Sequence, residues 1–133
     1  YSVVGLLFVL LVLVSCQKEY ADDRFELLTG PVWISDSLLV DGLDASGPGG
    51  ILEKFKGAAK FNRDATGYFG QYTGSWRFAE DRSAIIITTD SLPLPLSTWI
   101  DELSVSSLKI NTAYPSFENS DEDMQIRMTF KAQ

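Results

Sequence analysis

A chain of 133 residues with a net charge of −7, one cysteine and no histidine has room for one packed domain and few of the usual tools of catalysis. Without imidazole the commonest general base and transition-metal ligand are both missing, so no enzyme, no metal site and no cofactor are expected. The acidic balance argues against a nucleic-acid partner, because phosphate contacts need clustered Lys and Arg, whereas Lys54, Lys56 and Lys60 alternate along a single segment.

Val3 to Val14 is an uninterrupted apolar run apart from Gly5, and the first charge is Lys18. The run is too short to cross a bilayer as a helix and reads as the core of a secretory signal peptide over residues 1–15. It lacks a methionine and a basic flank before it, so a few further residues are expected to precede Tyr1. Leu13-Val14-Ser15-Cys16 ends the run and resembles a bacterial lipobox, which implies that Cys16 is acylated, for example with palmitate; the other reading is a free structural thiol. Several acyl chains make a stable anchor, since each buried methylene contributes about 0.8 kcal/mol. The following Gln17-Lys18-Glu19-Tyr20-Ala21-Asp22-Asp23 is similar to the export tags of Bacteroidota surface lipoproteins, or is an ordinary polar tether. The resemblance implies a tether over residues 16–24, a membrane partner through the lipidated N-terminus, and an outer-membrane location with cell-surface exposure favoured.

Residues 25–133 read as one β domain. Asp23 and Glu26 form a capping-box-like pair before Phe25 and Leu28, and Gly30 suits a left-handed stop, so a helix of one or two turns is expected. Val32 to Val40 is the first strand, with two competing facings: Trp33, Ser35, Ser37 and Leu39, or Val32, Ile34, Asp36, Leu38 and Val40. Asp41 to Gly50 reads as a loop, and its Asp41-Gly42-Leu43-Asp44 lacks the ligand spacing of a calcium site.

The clearest pattern runs from Lys54 to Thr89. Phe55, Gly57, Ala59 and Phe61 share one face of a strand, and Arg63 to Gly67 turns the chain, with Gly67 at positive φ and Asp64 bonding its own backbone. Tyr68 to Phe78 forms a second run, placing Tyr72, Gly74, Trp76 and Phe78 opposite Thr73, Ser75 and Arg77. After the acidic turn Glu80 to Ser83, Ala84 to Thr89 is a β-branched third strand open to cover on both faces. Leu92, Leu94 and Leu96 alternate with Pro93 and Pro95 in an extended segment that either folds over one end of the sheet or offers an apolar patch to a partner. Two strands follow, Trp99 to Leu103 and Leu108 to Ala113. The charged loop Asn119 to Asp123 comes next, a solvated run where weak calcium binding stays open, before a last strand with Met124, Ile126, Met128 and Phe130 on its apolar face.

About eight antiparallel strands with one apolar face close most naturally into an up-and-down barrel. The order of motifs resembles the lipocalin-like domains of small Bacteroidota lipoproteins: Leu28, Gly30 and Trp33 leading into the first strand, the Phe61 to Gly67 hairpin running into Gly74-Ser75-Trp76, the step from Ile100 and Leu103 to Leu108-Lys109-Ile110, and the closing amphipathic strand. Arg127, the counterpart of the arginine that stacks on the entrance tryptophan in lipocalins, falls on the polar face here. The resemblance implies an all-β, roughly eight-stranded barrel that binds a small apolar or amphipathic ligand. Trp33, Phe61, Tyr72, Trp76, Phe78 and Met128 are the candidate interior, which either lines a cavity or simply fills the barrel. The alternative is a non-catalytic assembly module that meets an envelope protein through Leu92, Leu94 and Leu96.

Overall fold

The computed structural model describes residues 23–116, 118–119 and 121–133; the expected signal peptide, Cys16 and the tether up to residue 22 lie outside the described residues. Strand β1 (Trp33–Val40) is paired along both edges, antiparallel to β3 (Ala58–Phe61) on one side and to β9 (Asp123–Ala132) on the other. Between them the chain runs as a meander through β4 (Thr66–Phe69), β5 (Tyr72–Ala79), β6 (Ala84–Thr89), β7 (Leu96–Leu103) and β8 (Ser107–Pro115), each antiparallel to its predecessor. The two-residue β2 (Leu43–Asp44) folds back on the end of β1, along the edge that β3 leaves free. Eight strands thus close an antiparallel barrel, as the period-two pattern predicts, with β2 as an appendage and one short helix, α1 (residues 23–29), before it.

Neither predicted facing of β1 holds along its whole length. Ser35 lies opposite Phe130 and Ser37 opposite Thr129, so Asp36 is an extra residue. That bulge moves the inward side from odd to even positions, which is why Trp33 and Leu38 are both buried. The hydroxyl of Thr129 fits the irregularity, 3.1 Å from the Ser37 backbone N–H that it accepts from and 2.7 Å from the Ser37 hydroxyl.

Several local expectations need correction. The Lys54 to Phe61 run is not one strand: Glu53–Phe55 is a 3-10 turn, and β3 begins only at Ala58. Phe55 therefore reaches the core from a loop, and Lys54 and Lys56 share no strand face with Lys60. The next turn has its positive φ at Ala65 (73°), while Gly67 sits inside β4 opposite Phe61. Asp64 does organise that turn. Its carboxylate accepts from the Thr66 hydroxyl (2.6 Å) and N–H (3.0 Å), bonds that hold it below the usual carboxylate range. Tyr68 to Phe78 is two strands, separated by a tight turn at Gly70 and Gln71. The Asp41 to Gly50 segment is not a plain loop either, because Asp41 and Gly42, at φ 50° and 82°, join β1 to β2. Gly30 takes no left-handed φ and ends α1 by donating its N–H to the Glu26 carbonyl (2.9 Å). In β6, Ile85 and Ile87 are buried but Ile86 is only half-buried, so this strand is covered mainly from within.

One end of the barrel is sealed. Helix α1 lies across it, with Leu28 buried and its carbonyl accepting from the Trp33 indole N–H (3.0 Å). Beneath it Phe61, Trp76 and Phe78 meet edge to face, at 5.7 and 5.3 Å between centroids, and the Trp76 indole donates to the Asn62 carbonyl (2.9 Å). The cation that closes this end is Lys60, whose ammonium donates to the carbonyls of Thr29, Gly30 and Pro31 at the helix C-terminus, where positive charge is favoured. Arg127 instead stands half-exposed outside the wall, 4.0 Å from Asp101.

Candidate functional site

At the opposite end the strands stop around a cleft of about 280 Å³. Its walls come from three places: the 50–55 segment, the start of β5 with the proline-rich link before β7, and Tyr114 near the end of β8 with Ile126 near the start of β9. Leu52, Phe55, Tyr72, Leu96, Tyr114 and Ile126 supply the apolar surface.

Each wall is held by backbone chemistry. Gly70, at φ 62°, lets the β4–β5 turn pass under the Phe55 segment so closely that a Cβ there would lie 2.2 Å from the Lys54 carbonyl oxygen. That same carbonyl accepts from the Gln71 N–H (2.7 Å), which fixes Phe55 against Tyr72 with ring centroids 4.6 Å apart. Across the cleft, the Tyr114 hydroxyl accepts from the Leu94 N–H (3.2 Å) and donates to the Leu94 carbonyl (3.0 Å). A segment whose prolines cannot join a sheet is thereby tied to β8. Burial pushes the Tyr72 phenol above its ordinary value, and the neighbouring Tyr114 adds to the shift.

The candidate interior residues divide between the two ends. Trp33, Phe61, Trp76 and Met128 are buried in the packed core, and Phe78 is half-buried beside Trp76, with the Arg82 guanidinium 5.9 Å from its ring centroid. Tyr72 alone of that set lines the cleft. The leucines also part company: Leu92 and Leu96 line the cleft, the latter buried, while Leu94 is 50% exposed. Sequence reasoning missed Phe55 as a loop residue, Leu52 altogether, and Tyr114, which parity with Leu108 and Ile110 could have placed inside.

Chemically the cleft offers apolar surface, two phenols, Ser91, and the charged Glu53 and Lys54 at its edge. Among the described residues no group of three or more His, Cys, Asp or Glu could hold a metal ion, and no helix is long and apolar enough to cross a membrane. No protein-family model matches the chain, and no curated protein matches it.

Proposed function

We propose that this chain is a lipocalin-like lipoprotein, anchored to the outer membrane through an acylated Cys16, which holds a small apolar or amphipathic molecule at the mouth of its barrel and catalyses no reaction. The observation that carries this reading is the contrast between a sealed end and an open cleft walled by Phe55, Tyr72, Leu92, Leu96 and Ile126. Ligand sites are typically concave, largely preformed and mostly apolar, starting at roughly 300 Å³. A volume of about 280 Å³ suits a small molecule better than a long lipid chain. The placement of α1 supports the anchor, since a tether leaving residue 23 at the sealed end would leave the mouth facing away from the membrane.

Calorimetric titration with 2-phenylethanol tests the reading. Binding is expected for the natural chain, and Leu92→Trp, which fills the cleft, should weaken it at least about tenfold, or about 1.4 kcal/mol. Equal binding by the filled variant would place the ligand elsewhere. A second reading, an assembly module of the envelope, is favoured by Leu94, which is exposed yet held rigidly by two hydrogen bonds to Tyr114. Loss of an envelope partner on Leu94→Ser, with 2-phenylethanol binding unchanged, would select it.

A further inference from the structure

Building on the cleft reading above, we infer that the ligand is a free α-amino acid with an apolar side chain. That side chain lies against Phe55, Tyr72 and Leu96, while the ammonium meets Glu53 and the carboxylate meets Lys54 at the edge of the cleft. Every one of these residues lines the same cleft. Among the described residues Glu53 and Lys54 are the only charged ones that do so, one of each sign. They are consecutive and exposed on the 3-10 turn Glu53–Phe55. Neighbours in sequence on a helical turn do not face each other, so the two charges do not cancel, yet both side chains are long enough to reach a molecule seated beside them. The turn itself is fixed: Phe55 is buried, the Glu53 carbonyl accepts from the Lys56 N–H (3.1 Å), and the Lys54 carbonyl accepts from the Gln71 N–H (2.7 Å).

Both charges are also left uncommitted. The ion pairs Arg63–Glu26, Lys109–Glu102, Arg127–Asp101 and Lys131–Asp36 involve neither residue. Among the described residues the Lys54 ammonium has no hydrogen bond and no ion pair, and the Glu53 carboxylate accepts only from the Gly49 N–H, through Oε2 (3.0 Å), which leaves Oε1 open. A ligand with a single charge would answer one of the two and leave the other. A volume of about 280 Å³ is at the small end for a ligand site and suits one side chain with its two charged groups at the opening. A peptide end carries only one of those charges, whereas a free amino acid carries both on neighbouring atoms. Apolar walls beside the charges reduce screening by water, so each contact counts for more than it would on an open surface.

The test is calorimetry on the natural chain at low salt with four probes that share a phenyl ring: L-phenylalanine with both charges, 2-phenylethylamine with only the ammonium, 3-phenylpropionate with only the carboxylate, and 2-phenylethanol with neither. Phenylalanine should bind at least about threefold tighter than each of the others, and added salt should narrow the gap. Glu53→Gln, which keeps an oxygen for the Gly49 N–H, should erase the advantage of phenylalanine over 3-phenylpropionate and retain its advantage over 2-phenylethylamine. Lys54→Met should do the reverse. If each variant leaves both advantages intact, or if 2-phenylethanol or either singly charged probe binds the natural chain as tightly as phenylalanine, the inference falls while the cleft reading survives. Should none of the four bind, both fall.

Discussion

At the sealed end Trp33, Phe61 and Trp76 are packed under α1, with both indole N–H groups bonded to backbone carbonyls, whereas at the mouth Phe55, Tyr72 and Tyr114 stand around open space. Both ends are rich in aromatic residues and both are built on the same strands. They differ in what covers them: a helix clamped by Lys60 below, and segments too short or too proline-rich to cross the opening above. Aromatic content alone therefore does not mark a binding site, and the element lying over the rings decides whether they become core or cleft.

The sharpest way to break this comparison is to truncate one large side chain at each end. Trp33→Ala, which opens a fully buried site, should cost about 3–5 kcal/mol of stability in urea unfolding. Leu92→Ala, at the half-buried wall of the cleft, should cost about 1 kcal/mol. Equal losses would mean that the mouth is packed as tightly as the base. Next in size is Gly74→Ala between the two ends, because its Cβ would lie 1.9 Å from the Thr88 carbonyl oxygen; overpacking of this kind costs about 1–3 kcal/mol, measurable by the same unfolding curves.

Smaller effects sharpen the picture of the mouth. Tyr114→Phe removes both bonds to Leu94 and should cost about 1 kcal/mol, with faster hydrogen exchange at the Leu94 amide as its local signature. Tyr72 gives a pH test. Its phenol is raised in the folded state, so its contribution is intact below the ordinary value of about 10 and is lost as pH climbs from there through the folded value. Urea midpoints should fall above that pH, and less steeply in Tyr72→Phe. The smallest effect belongs to the surface clamp on α1: Arg63 bonds Glu26 at 2.9 and 2.8 Å, but both side chains are more than half exposed. Glu26→Gln should cost less than about 1 kcal/mol.

The barrel was legible in the sequence wherever strands alternate cleanly, as in Tyr72 to Phe78 and Met124 to Phe130, because one buried face forces a period of two. It was obscure where a local irregularity resets that period. The bulge at Asp36 makes each facing of β1 right for half the strand, and no residue type announces it. The turn at Gly70 and Gln71 is hidden inside a stretch that reads as one run from Tyr68 to Phe78. The Asp41-Gly42 turn was more accessible, since that pair favours tight hairpins. The cleft itself was the least legible part. Its floor follows from alternation, but its rim depends on loops whose placement is set by long-range bonds, such as that from Gln71 to Lys54.

The most direct test of a sealed base beneath an open mouth is a methyl spectrum of the protein titrated with 2-phenylethanol. Resonances of Leu92, Leu96 and Ile126 should move together toward saturation while those of Leu28 and Leu108 stay in place. Shifts centred on Leu28 and Leu108, or a spectrum unmoved at saturating alcohol, would contradict the account.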